Sequence, residues 1–117
     1  MSNKVISAKP ESNQHKWWVY IIETAKGTYY TGITTDIARR WAEHSGEHSV
    51  QSKSKGAKYF RSQVPEKFVY LEDGHDRSTA SKREAEIKKL NKKNKVQLVV
   101  HGADETHRLK LLFEVDS

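Results

Sequence analysis

The chain contains no cysteine, which excludes disulfide staples and thiolate metal sites, and with them the small secreted scaffold that depends on such links. A reducing compartment is permitted, and a cytoplasmic location is the expectation. Long apolar runs are also missing. The first sixteen residues, MSNKVISAKPESNQHK, hold no signal-peptide core. No later segment approaches the roughly 18 apolar residues of a membrane span, so no membrane partner is expected. Neither an internal repeat nor a low-complexity tract is visible, and 117 residues are too few for two independently folding units.

What remains is polar but not depleted. Three Trp, five Tyr and three Phe are enough to build a core around, so a compact fold is expected and not a disordered chain. The net charge of +6 suits a polyanionic partner. Its distribution is uneven: Lys82 to Lys95 holds seven Lys or Arg against two Glu, whereas Ala103 to Ser117 holds two against four acids.

Residues 1–15 read as a flexible leader, 16–100 as the domain and 101–117 as a C-terminal extension. WWVYIIE, from Trp17 to Glu23, is aromatic and β-branched and reads as a strand. Ala25-Lys26-Gly27 supplies a turn, and Thr28 to Thr34 the partner strand. Thr35 or Asp36 can cap a helix running through Ile37, Trp41 and His44 to a stop at Gly46. The following stretch, rich in Ser, Lys and Gln, reads as a basic loop with one turn of helix at Ala57 to Arg61. Lys67 to Glu72 alternates as a third strand does. A second helix, with Asp and Ser start signals, runs to about Leu90. Residues 92–100 suit a shorter helix, although VQLVV is equally compatible with a strand. From Ala103 the acidic tail is suited to covering an edge or contacting another copy.

Several residues fit packing poorly. If Thr24 faces Thr28 across the hairpin, paired positions sum to 52, and Tyr20 lies opposite Gly32 and Ile22 opposite Tyr30. Two phenols then meet beside a glycine. The first helix puts Arg40 and His44 on the same stripe as Ile37 and Trp41. The second puts Glu84 among Ala80, Ile87 and Leu90, where a carboxylate needs a partner or a cation. Each has a plain packing explanation, including a Glu84–Lys88 ion pair. One polar site explains all five together.

The residues VYII, the ten-residue step from Tyr20 to Tyr30, YTGITTDIARRWAEH, GAKYFR, VYLED and ASKREAEIKKL resemble the GIY-YIG nuclease superfamily, specifically its small stand-alone bacterial members. The likeness spans about Trp17 to Val99. It implies an α+β fold, a three-stranded antiparallel sheet flanked by helices, with a shallow active site on one sheet face and metal-dependent phosphodiester hydrolysis. Residue by residue it implies catalytic roles for Tyr20, Tyr30, Arg40, His44 and Glu84, a motif glycine at Gly32, and Glu84 as metal ligand. The first motif here reads Trp18-Val19-Tyr20, without its named glycine.

Such a site suits the chemistry. Arg40 stays charged and can fork onto two phosphate oxygens. One glutamate with retained waters can hold a single divalent cation, Mg²⁺ or Mn²⁺. Reference pKa values favour His44 as proton acceptor with a tyrosine orienting the water, and leave Tyr20 open as the base. Phosphate contacts are expected from Arg39, Lys53, Lys55, Lys58, Arg61 and Lys88, beside Gly32 in the site, and Tyr59 or Phe60 can stack on a base. The expected function is a structure- or strand-selective nuclease in repair or recombination, on DNA in preference to RNA. The alternative is a nucleic-acid-binding module that needs a protein partner for catalysis.

Overall fold

The computed structural model describes residues 15–45 and 63–113. Three antiparallel strands, β1 (Trp17–Thr24), β2 (Tyr29–Thr34) and β3 (Pro65–His75), form a sheet in the order β2-β1-β3. Four helices accompany it among the described residues: α1 (Ile37–Ser45), α2 (Arg77–Lys89), α3 (Lys92–His101) and α4 (Ala103–Phe113). The fold is α+β. The basic loop, including Lys53, Lys55, Lys58, Tyr59, Phe60 and Arg61, lies outside the described residues, as does all but His15 of the leader.

The β1–β2 hairpin has the register that the turn implies, with Tyr20 opposite Gly32 and Ile22 opposite Tyr30. Gly27, at φ +84°, provides the left-handed residue that the three-residue turn requires. Alternation then sorts the side chains into two cores. Tyr20 and Ile22 share one face with Phe68 and Leu71 of β3, covered by Ile37 and Trp41 of α1 and Leu109 of α4. Val19, Ile21 and Tyr70 share the other, covered by Ala80 and Ile87 of α2 and by Leu98 and Val99 of α3.

β3 is longer than the alternating segment 67–72 and does not keep strict alternation. Its pairing with β1 shifts between Ile21 and Ile22, and again near each end. The first shift admits an extra residue, so Phe68 and Leu71, three apart, face the same core while Val69 and Tyr70 face the other.

The residues set apart as an extension contribute a helix that packs into the main core, where Leu109 is 1% exposed. Along β3, which is a sheet edge, α4 also satisfies backbone groups. Thr106 Oγ1 accepts the Leu71 N–H at 3.1 Å, and Lys110 Nζ donates to the Phe68 carbonyl at 3.2 Å. A bare strand edge invites pairing with other chains, and α4 occupies this one.

Candidate active site

The opposite edge, β2, carries the polar residues. α1 starts there because Thr34 Oγ1 accepts the Asp36 N–H at 3.0 Å and Asp36 Oδ1 accepts the Arg39 N–H at 3.0 Å, which satisfies the first free donors of the helix. With its start fixed, the helical period turns Ile37, Arg40, Trp41 and His44 toward the sheet and Arg39 outward. His44 is fully buried, and its Nε2 lies 3.2 Å from Tyr20 Oη. The Tyr30 ring stands edge-on to the imidazole, with centroids 5.7 Å apart, and 6.4 Å from the Tyr20 ring. Gly32 makes room for the phenol. A Cβ at that position would fall 2.5 Å from Tyr20 Oη and 2.6 Å from its Cζ.

Burial sets the electrostatics of this aromatic cluster. The Tyr20 phenol is pushed up by desolvation and then by Tyr30, with Arg40 opposing and Glu84 and Glu43 adding to the rise. Tyr30 is raised by desolvation and then by Glu84, again against Arg40. His44 is lowered to about 4, chiefly by burial and next by the Arg40 charge. The imidazole is therefore neutral at neutral pH, and its Nε2 shares a hydrogen bond with the Tyr20 hydroxyl.

Arg40 leads from the aromatic cluster to a cleft of about 250 Å³, lined by Trp17, Ile33, Arg40, Arg77, Ser81 and Glu84. Ile33 and Trp17 belong to the face opposite the tyrosines. The cleft is thus not confined to one sheet face. It straddles the β2 edge, because alternation sends Tyr30 and Gly32 one way and Ile33 the other, while α1 and α2 flank the edge from opposite sides.

Glu84 enters this cleft from α2, whose Asp76 cap accepts the Thr79 N–H while Thr79 Oγ1 accepts from Asp76 N–H in return. It is 7% exposed, and its Oε2 lies 3.2 Å from Lys88 Nζ one turn on. The plain ion pair is therefore real, but it does not remove Glu84 from the cleft, and the carboxylate charge is felt at both phenols. Arg40 Nη1 stands 3.3 Å from Glu43 Oε1, with 16% of the Arg40 side chain exposed.

Among the described residues no group of three or more His, Asp or Glu side chains converges to cage a metal. The donor set of the cleft is one carboxylate. That suits a hard cation which keeps most of its water and takes further oxygen ligands from a substrate phosphate. Two guanidinium groups in the same lining make the cleft hospitable to such an anion.

The structure brings Tyr20, Tyr30, Gly32, Arg40, His44 and Glu84 together around one sheet edge. Lys88 sits beside Glu84. Arg39 points away, 55% exposed and 3.8 Å from Glu43, and does not line the cleft. The sequence reading missed Trp17, Arg77 and Ser81. A signal for two of them existed: positions 77, 81, 84 and 88 form a single polar stripe at helical spacing.

The model of the GIY-YIG catalytic domain matches residues 16–97. A UPF0213 protein of Desulfotalea psychrophila is 50% identical over 91 residues, covering 78% of this chain and 77% of its own. One from Yersinia pestis is 41% identical over 97 residues, covering 83% and 92%. The solution NMR structure of a UPF0213 protein from Bacillus halodurans is 32% identical, covers 74% of this chain and 85% of its own, and superposes with a TM-score of 0.47.

Proposed function

We propose that this chain, which belongs to the GIY-YIG catalytic domain family, is a metal-dependent nuclease that hydrolyses phosphodiester bonds in DNA, selecting by strand or branch structure, in repair or recombination. One observation carries the reading. Arg40 and Glu84, delivered by helices on opposite sides of the sheet, line a single cleft whose charges reach both motif tyrosines.

In this reading Arg40 forks onto the non-bridging oxygens of the scissile phosphate, where charge grows in the transition state. Glu84 holds a divalent cation, Mg²⁺ or Mn²⁺, and the chemistry such a cation supplies is neutralisation of charge on the phosphate and on the departing oxygen. Lys88, 3.2 Å from the Glu84 carboxylate, helps to fix its position in the cleft.

His44 is neutral and can accept a proton, and its Nε2 lies 3.2 Å from the hydroxyl of Tyr20. In this reading Tyr20 is the group that relays the proton to it. Its hydroxyl takes the proton of the attacking water as it passes its own to His44 Nε2, so no phenolate accumulates in a setting that strongly disfavours one. Tyr30, half-buried and beside both rings, orients the water. His44 is thus the final acceptor, and Tyr20 the group that meets the nucleophile.

The test is to incubate purified protein with nicked, branched and single-stranded DNA, and with RNA, with and without Mg²⁺, beside Glu84→Gln. Cleavage of DNA that needs the cation and is lost in the variant supports the reading. Equal cleavage by the variant, or none on any substrate, opposes it; binding without cleavage favours a module that needs a protein partner.

A further inference from the structure

Five arginines fall among the described residues, and four of them pair with a glutamate: Arg39 and Arg40 with Glu43, Arg83 with Glu72 and Glu86, and Arg108 with Glu105. Arg77 differs. Among the described residues no carboxylate pairs with it, and its Cζ instead stands 5.8 Å from the centroid of the Trp17 ring. It is exposed, yet it lines the cleft together with Arg40 and Glu84.

That combination is unusual for a structural arginine. A structural arginine saturates its donors within the protein, whereas contact with an aromatic face restricts the guanidinium plane and leaves its N–H groups open. Ser81, one turn on, presents a hydroxyl to the same cleft. Glu84 lies two turns from Arg77 along α2, about 10 Å at the helical rise. A phosphate held between Arg40 and Glu84 therefore leaves Arg77 and Ser81 to a different anion.

We propose that Arg77 and Ser81 form a second phosphate subsite, which takes the phosphate adjoining the scissile one on the same nucleic-acid strand, with Trp17 setting the angle of the guanidinium. The proposal rests on the nuclease reading and adds a requirement to it. The site engages two consecutive phosphates, so a substrate with only one internal phosphate binds poorly even when its scissile bond is intact.

Two short ligands separate the cases: a thymidine dinucleotide with one internal phosphate and a trinucleotide with two. Their dissociation constants are measured by ¹⁵N chemical-shift titration in metal-free buffer, where neither is consumed. For the unaltered chain the trinucleotide is expected to bind about tenfold more tightly. In Arg77→Gln that gain shrinks to about the twofold expected from two equivalent registers, while the dinucleotide binds as before and the rest of the spectrum is unchanged. An undiminished gain in Arg77→Gln overturns the subsite and leaves the nuclease reading standing. If neither ligand shifts the cleft resonances, the subsite is overturned; if Arg40→Gln leaves the dinucleotide affinity unchanged, the nuclease reading falls and the subsite with it.

Discussion

Acidification tests the buried imidazole directly. In the unfolded chain His44 takes up a proton near pH 6.5, whereas in the fold it does so only near 4. Its folded pKa is depressed, so the unfolded state binds the extra proton first. The stabilisation is whole above about 6.5 and is lost as pH falls from there toward 4. A difference of this size is worth about 3 kcal/mol, which is substantial against the roughly 5–15 kcal/mol that holds a small domain together. Urea denaturation between pH 7 and 4 measures it, provided the titration of carboxylates is removed by comparison with His44→Gln, which cannot titrate. The unaltered chain should lose about 3 kcal/mol more than the variant over this range. Parallel curves would show that the imidazole is not held neutral by the fold, and the Tyr20–His44 proton path would lose its basis.

Other outcomes follow from the same geometry. Gly32→Ala should cost about 1–3 kcal/mol by overpacking, since the enclosed Tyr20 ring cannot yield to the new methyl group, and chemical denaturation reads it. Leu109→Ala should cost about 2–5 kcal/mol, visible as a lowered melting temperature, because α4 is a core element and not an appendage. Arg40→Lys should fold normally by circular dichroism but cut single-turnover cleavage at least tenfold, as an ammonium cannot fork onto two oxygens. The acid limb of kcat/KM should lie near pH 4, following His44 in its buried state, and not near 6.5.

The hairpin was legible residue by residue. A three-residue turn ending in glycine fixes the register, and a period of two then fixes which side chains meet. The same was true of α1 and α2, whose caps and stripes are written in Asp36, Asp76 and the spacing of Ile37, Trp41, Ala80 and Ile87. β3 was only partly legible, because a bulge leaves no signature in a run such as Lys67 to Glu72 while it moves residues from one face to the other. α3 was ambiguous for a propensity reason. Val96, Val99 and Val100 favour a strand, but Asn91 caps the segment through the Asn94 N–H at 2.8 Å, and Leu98 and Val99 pack as a helix face. Leu109 was hidden among acidic and basic neighbours whose exposure only the packing of α4 reveals. The polar site was legible as a set of misfits. Its place astride the β2 edge was not, since that depends on how two helices approach from opposite sides.

The most direct measurement is cleavage of labelled single-stranded and branched DNA by the unaltered chain and by Glu84→Gln, with the thermal melt of each recorded alongside. Mg²⁺-dependent products from the first, none from the second, and melts within a degree or two of one another are the expected outcome. Products formed at the same rate by both proteins would contradict the assignment of Glu84 to a catalytic cleft.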